Sequence, residues 1–207
     1  MKILAIDSSA GLSVALHDGE KVIVSVTRND HGVQGELTAD FIAQALEQAA
    51  WKPSDITDVV VGVGPGPYTG LRVGIVTALV FAHARKIALH AVCSLDAIGF
   101  ASGKECIVVT DARRKEVYWA KYENGQRVSE PQVTKPADLV AQFPNAHFVG
   151  PGADLYPDVL TGQSAELHAA DLAQACSQGL TEVLEASPLY LRKPDADEPA
   201  PREQVSL

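Results

Sequence analysis

The sequence has few cysteines, and their spacing gives no framework for a fold. Its three cysteines, Cys93, Cys106 and Cys176, are an odd number, lie far apart and form no C-x-x-C pair. This spacing is unlike that of disulfide-rich domains or of a C-x-x-C zinc site. Free thiols of this kind are typical of a reducing compartment, so we expect the protein to be cytoplasmic.

Long apolar runs are also missing. The most apolar segment, residues 70–89, is interrupted by Arg72, His83 and Lys86 among others, whereas a membrane helix needs about 20 consecutive apolar residues. Too few apolar residues precede the first acid, Asp7, to form the core of a signal peptide. The sequence therefore predicts a protein that does not span a membrane.

Positive charge is scarce. The 207 residues include 17 Lys and Arg against 26 Asp and Glu, which gives a net charge of −9. An acidic surface repels phosphate backbones, so we expect contact with nucleic acid to come through a partner. The hydrophobic content of 46% is enough for one substantial core or two small ones.

No residue pattern marks a reaction centre. The six histidines include no pair three or four positions apart that could bind a metal from one helix face: His17, His31, His83, His90, His147 and His168. No nucleophile lies in a recognisable elbow motif. The sequence therefore predicts neither a metal site nor catalytic residues.

The first hundred residues predict the element order β-β-β-α-β-α-β. β-Branched residues, turn signals and helical periodicity place strands at 2–6, 12–17, 21–27, 59–63 and 90–93, and helices at 34–51 and 70–86. This order puts a mixed sheet between helices. It is the order of the ribonuclease-H-like half of actin-like folds.

The second half predicts a degenerate repeat of the first. A helix at 94–101 precedes strands at 106–110, 117–122 and near 127–133, then a helix at 137–142, a strand at 147–149, a turn at 150–152 and a helix at 171–185. We therefore predict an α/β protein with two actin-like domains, residues 1–100 and 101–192. A tail, residues 193–207, follows, and its three prolines exclude a regular helix.

The segment GPGPYTGLRVG, residues 64–74, joins a buried strand to a long helix. Gly64 and Gly66 allow backbone conformations closed to other residues, and Thr69 could cap the helix. Free N–H groups at such a turn could hold an anion. A tight strand-to-helix turn without a ligand is the alternative, because no P-loop lysine is present.

The helix that follows is apolar around most of its circumference. Such a helix either lies deep inside the protein or presents one face to another subunit. We favour the subunit interface, because a chain of this length has few elements to cover a second face.

Two further segments each allow two interpretations. Asp7-Ser8-Ser9 ends the first strand and either contacts a nucleotide or magnesium ion through Asp7, or closes the turn with hydrogen bonds from side chain to backbone. The cationic turn within residues 111–118, Arg113-Arg114-Lys115, either meets phosphate or an acidic partner, or is a solvated hairpin tip.

Several motifs together resemble the TsaB (YeaZ) family of tRNA threonylcarbamoyladenosine biosynthesis proteins. They are, in order, residues 6–9, 64–74, 111–118, 150–153 and 188–192. The run at 64–74 is the most specific, because the family carries a similar G-P-G-[small]-[aromatic]-T-G-L-R-[aliphatic]-G signature there. The resemblance covers nearly the whole chain.

The resemblance implies a non-catalytic, actin-like subunit that supports the transfer of threonylcarbamoyl to adenosine 37 of tRNA. Its paralogue TsaD carries an iron-binding H-x-x-x-H motif that this chain lacks. The implied partners are TsaD, bound through helices of the first domain, and the ATPase TsaE, with tRNA reached through the complex. The isolated chain could form a homodimer through the same helix.

The resemblance also supplies candidate residues. The implied partner interface is Leu71, Val73, Gly74, Ala78 and Phe81. The implied neighbours of ATP or ADP at the subunit junction are Asp7, Ser9, Thr69, Gly70 and Arg72. The chain is expected to have no cofactor of its own.

Two alternative functions remain open at this point. An actin-fold small-molecule kinase or ATPase would need carboxylates and glycine-rich phosphate loops in both halves, and no such loop follows Asp111. A glycoprotease-like metallopeptidase would need a metal site or a nucleophile, which the histidine spacing disfavours.

Overall fold

The computed structural model describes residues 1–28 and 34–192, with only the backbone described for residues 34–36. His31 and the predicted tail, residues 193–207, lie outside the described residues. Within the described ranges, no helix has the length and apolar character needed to cross a membrane.

The first half forms a five-stranded mixed sheet. Its strands are β1 (Ile3–Asp7), β2 (Leu12–His17), β3 (Val22–Arg28), β4 (Asp58–Gly62) and β5 (Ala88–Val92), in the order β3-β2-β1-β4-β5. The first three pair antiparallel, whereas β4 is parallel to β1 and β5 is parallel to β4.

The second half repeats this arrangement around two long strands, with shorter strands at its edges. Its strands are β6 (Cys106–Asp111), β7 (Val117–Glu123), β8 (Gln126–Arg127), β9 (Gln132–Thr134), β10 (Phe148–Val149) and β11 (Gly162–Gln163). β7 pairs antiparallel with β6, and β10 and β11 add parallel strands on the other side of β6. β6 therefore occupies the place in its sheet that β1 occupies in the first.

The helices form three layers around the two sheets. They are α1 (Gln34–Gln48), α2 (Tyr68–Arg85), α3 (Asp96–Ser102), α4 (Pro136–Gln142), α5 (Pro151–Leu155) and α6 (Ala169–Ser177), with a short 3-10 turn at Pro53–Asp55. α1 and α2 cover the outer face of the first sheet, α4 and α5 cover the outer face of the second, and α3 and α6 lie between the sheets.

Side chains along the central strands, β1 and β6, point alternately into the outer and the middle layer. In β1, Leu4 and Ile6 pack toward α1 and α2, whereas Ile3 and Ala5 belong to the middle layer. In β6, Ile107 and Val109 pack outward in the same way. Because neighbouring side chains of a strand point to opposite faces, a strand buried on both faces is apolar throughout.

In the middle layer, each half contributes one helix that packs on the sheet of the other half. α6, from the second half, packs on β1, β2 and β4, whereas α3, from the first, packs on β6 and β8. A buried ion pair holds α3 there: Arg127 Nε donates to Asp96 at 3.1 Å, and the Tyr122 hydroxyl donates to the same carboxylate at 2.7 Å. The boundary near residue 100 stays a prediction, since the central core is shared.

The predicted α/β, actin-like fold class is confirmed, but two predicted elements of the second half are wrong. The strand near 127–133 is two short strands, β8 and β9. The helix expected at 171–185 ends at Ser177, because Gly179 takes a left-handed conformation with φ of 69°.

Residues 180–192, here called the strap, then cross from the second half to the first. The Leu184 N–H donates to the Ala91 carbonyl and the Leu189 N–H to the Val63 carbonyl, both at 2.8 Å. These bonds cover part of the free edge of β5 and fix the strap beside α2.

Candidate functional site

A cleft of about 510 Å³ opens between the two halves. Its lining includes Asp7 and Ser9 after β1, Pro65 before α2, and Asp111 and Arg113 after β6. The two central strands therefore end at the same cleft, one from each half.

The Asp7 side chain lines this cleft but is almost fully buried. It is 1% exposed. Its Oδ1 accepts hydrogen bonds from the Ser9 N–H at 2.8 Å and the Ser9 hydroxyl at 2.6 Å, and its Oδ2 accepts one from the Ser94 hydroxyl at 2.5 Å. These hydrogen bonds agree with the second interpretation of Asp7-Ser8-Ser9, in which its side chains close the turn.

Ser94 was missed by sequence reasoning, although it links three segments. Its hydroxyl donates to Asp7 and accepts from the Gly64 N–H at 2.9 Å. Gly62 lies so close that a side chain there would collide with the Asp7 carboxylate. Burial raises the pKa of Asp7, and the hydrogen bonds from Ser9 and Ser94 offset only part of that effect.

The glycine-rich segment packs against the same turn. Gly74 of α2 lies directly under Ser8, whose hydroxyl donates to the Gly70 carbonyl at 2.8 Å. The prediction that Thr69 caps the helix is wrong. The N-cap is Pro67, no side chain bonds to the free N–H groups there, and Thr69 lies within the first turn.

α2 has an inner and an outer face, and this corrects part of the predicted partner interface. Leu71, Gly74 and Ala78 are buried against the chain's own sheet, so they cannot contact a partner. Val73 and Phe81 are partly buried, and their interface role stays a prediction.

The outer face of α2 carries exposed apolar side chains that the sequence did not single out. Val76, Leu79 and Val80 are 56%, 39% and 63% exposed. Their spacing of three and four residues places them side by side on one helix face. We call these three residues the outer stripe.

The five residues predicted near a nucleotide do not converge on one pocket. Asp7 and Ser9 line the cleft, whereas Gly70 is buried in α2. Thr69 and Arg72 are exposed near the start of α2. The structure therefore brings together two of the five, and the nucleotide role of all five stays a prediction.

The turn after β6 repeats one hydrogen bond of the turn after β1. The Arg113 N–H donates to Asp111 Oδ1 at 2.7 Å, as the Ser9 N–H does to Asp7. Beyond this bond the turns differ: Arg113, Arg114 and Lys115 all have positive φ, of 61°, 53° and 61°, and all three are exposed. The second turn is therefore an open cationic loop.

Tyrosine and arginine side chains connect the strap to α2 and to the cationic turn. The Tyr68 hydroxyl donates to the Arg192 carbonyl at 2.5 Å, and Arg72 Nε donates to the Tyr190 hydroxyl at 2.8 Å. Arg192 forms an ion pair with Glu116. The motifs at 64–74, 111–118 and 188–192 contain these residues, but the sequence did not show that they meet.

Within residues 1–28 and 34–192, no group of three or more His, Cys, Asp or Glu side chains is arranged to hold a metal ion.

Comparison with known proteins gives concordant matches. The family model described as TsaD, tRNA N6-adenosine threonylcarbamoyltransferase, matches residues 35–200. An uncharacterized protein of Mycobacterium tuberculosis is 39% identical over 94% of this chain and 93% of its own length. The tRNA threonylcarbamoyladenosine biosynthesis protein TsaB of Escherichia coli is 29% identical over 93% of this chain and 95% of its own length.

A solved structure shows the same fold. YeaZ from Pseudomonas aeruginosa superposes with a TM-score of 0.76 at 24% identity, over 92% of this chain and all of that one.

Proposed function

The chain belongs to the TsaB/YeaZ family, and from this premise we propose that it is a cytoplasmic, non-catalytic subunit of the complex that transfers threonylcarbamoyl to adenosine 37 of tRNA. A role in tRNA threonylcarbamoyladenosine biosynthesis follows from the family itself.

The outer stripe is the observation that carries the proposal. Val76, Leu79 and Val80 expose apolar surface on one helix, although the opposite face of that helix is fully packed. An exposed apolar row on a rigid element is typical of a protein contact. We propose that a TsaD-type transferase covers it, and that the same row supports a homodimer when the partner is missing.

The state of Asp7 favours a supporting role over the kinase or ATPase alternative. Such an enzyme needs a carboxylate that can meet a metal-bound phosphate. Here both oxygens of the Asp7 side chain already accept hydrogen bonds within the chain, and Gly62 packs closely against Oδ2. A ligand would have to compete with these bonds for the carboxylate.

We propose that the remaining partners bind around the same helix. We propose that ATP or ADP binds at the junction with the transferase, near Thr69 and Arg72, which are exposed close to the outer stripe. A TsaE-type ATPase then joins the assembled pair to permit turnover.

Reconstitution tests the proposal. An unmodified tRNA transcript and a source of threonylcarbamoyl-adenylate are combined with the chain, a TsaD-type protein and a TsaE-type protein, and each protein is left out in turn. We expect modified adenosine only when all three proteins are present. Modification of tRNA by this chain alone would contradict the non-catalytic role, and full modification without it would contradict the supporting role.

A further inference from the structure

We propose that this chain contacts the tRNA substrate directly, through a cationic patch formed by the turn after β6, the end of the strap and the start of α2. The inference rests on the proposed function, because it takes tRNA as the substrate. The ligand chemistry is an RNA phosphate backbone with neighbouring bases. The patch consists of Arg72, Arg113, Arg114, Lys115, Tyr190 and Arg192.

The patch is continuous across elements far apart in sequence. The ion pair between Arg192 and Glu116 places the end of the strap beside Lys115. Two residues earlier on the strap, the Tyr190 hydroxyl accepts the hydrogen bond from Arg72 at the start of α2. One surface therefore joins the second-half turn to the first-half helix.

Its charge is opposite to that of the protein as a whole. The chain carries a net charge of −9, yet this patch gathers five cations, among them Arg113, which pairs with Asp111, and Arg192, which pairs with Glu116. Charges more than about 8 Å away are largely screened at physiological salt, so a phosphate at the patch responds mainly to these cations. The overall acidity that disfavours RNA binding therefore does not govern this surface.

The aromatic side chains favour RNA over an acidic protein. The Tyr68 and Tyr190 rings lie with centroids 4.3 Å apart, and the Arg72 guanidinium lies 5.9 Å from the Tyr190 ring. Cations beside aromatic faces suit a nucleic acid, because arginines bind phosphates while rings stack with bases. An acidic peptide would need only the charges.

The conformation of the turn presents its cations outward. Three consecutive residues other than glycine, Arg113, Arg114 and Lys115, hold positive φ, and each costs roughly 1 kcal/mol or more relative to ordinary backbone. The Arg113 side chain is 64% exposed despite its ion pair with Asp111. A solvated hairpin tip could avoid this cost with glycine or asparagine, so cations at these three positions favour a binding role.

The test measures tRNA affinity of the complex between this chain and a TsaD-type protein. The patch variant combines Arg114→Asn with Lys115→Asn, because asparagine tolerates positive φ and the turn keeps its shape. The control combines Lys86→Asn with Lys104→Asn. Lys86 is also an exposed cation with positive φ, of 56°, and it lies at the far end of α2, roughly 25 Å from its start.

Fluorescence anisotropy with an unmodified tRNA transcript is recorded at several salt concentrations. We expect the patch variant to bind about tenfold more weakly at low salt, with a logarithmic salt slope smaller by about 1 to 2, whereas the control binds like the wild type.

Two results would overturn the inference. The first is equal tRNA affinity and salt slope for the patch variant and the control. The second is a patch variant that loses affinity for the TsaD-type protein but not for tRNA, which would identify an acidic protein contact. Either result leaves the proposed function intact if the wild-type chain still supports tRNA modification. A wild-type chain without that activity would refute the proposed function separately.

Discussion

The turn after β1 and the turn after β6 begin alike and end differently. Each starts with an aspartate at the end of its central strand, and each aspartate accepts the N–H two residues later, at 2.8 Å from Ser9 and 2.7 Å from Arg113. The first turn contains no cation and is buried under the long helix α2, whereas the second carries three exposed cations. The same hydrogen bond from a backbone N–H to an aspartate can therefore lie in a core or in a turn open to solvent.

The two turns differ in the length of the helix that follows the neighbouring parallel strand. In the first half, α2 runs 18 residues and brings Gly74 against Ser8. In the second half, the corresponding α5 has 5 residues, and its Gly152 packs against β6 at Val109 and Thr110 rather than over the turn. Among the described helices, none of comparable length lies above the second turn, and its cationic side chains are exposed.

Replacing each aspartate should give the largest difference between the two turns in the free energy of unfolding. We expect Asp7→Ala to lower the free energy of unfolding by about 2 to 3 kcal/mol, because it leaves the Ser9 and Ser94 donors buried without their acceptor. Asp111→Ala, at a partly exposed turn, should cost no more than about 1 kcal/mol. Urea unfolding measures both, and equal losses would refute the distinction between a locked and an open turn.

A smaller contrast is expected for the serine hydroxyls that donate to a carboxylate in each half. Ser94→Ala removes a buried hydroxyl that serves both Asp7 and Gly64, and should cost about 1 to 2 kcal/mol. Ser164→Ala removes an equally short bond, 2.5 Å to Asp154, but at an exposed site, so the cost should be below about 0.5 kcal/mol. Chemical denaturation distinguishes them, and a loss for Ser164→Ala as large as that for Ser94→Ala would show that burial does not govern the effect.

The smallest effect concerns pH. Because burial raises the pKa of Asp7 in the folded chain, the folded state binds this proton more tightly than the unfolded state does. The contribution of Asp7 to the free energy of unfolding should therefore fall as pH rises from about 4, the ordinary pKa of aspartate, until it passes the folded pKa.

Asp7→Asn cannot titrate and supplies the reference for this effect. The free energy of unfolding of the wild type minus that of Asp7→Asn should decrease with rising pH across that window. An increase would mean that the hydrogen bonds from Ser9 and Ser94 outweigh burial.

The sequence predicted the sheets better than the surfaces. Strand alternation and turn residues placed the ends of β1 to β7 within one residue, except for β5, whose start was set two residues late. α2, however, is apolar on both faces, with Ile75 inward and Val76 outward. Periodicity could therefore not show which side meets the sheet, and Gly74 and Ala78 were placed in the interface by mistake.

The contacts of the strap could not be predicted either. Helical periodicity extended α6 to residue 185, and only the conformation of Gly179 shows that the chain leaves the helix at Ser177. Tyr190 and Arg72 are 118 positions apart, and no local pattern connects them. Ser94 was missed for the same reason, since its role depends on β1 lying beside β4 in the sheet.

The central claim is that this chain acts by presenting the outer stripe of α2 to a TsaD-type partner, and the affinity for that partner tests it most directly. The variant Val76→Asp with Val80→Asp is compared with Val128→Asp, which charges another exposed valine, 48% exposed, in the second half. All three positions are on the surface, so folding should be preserved.

We predict that the stripe variant binds the partner at least about 100-fold more weakly, because it buries charge in an apolar contact, and that the Val128 variant binds like the wild type. Equal affinity of the stripe variant and the wild type would contradict the proposal that the outer stripe binds the partner.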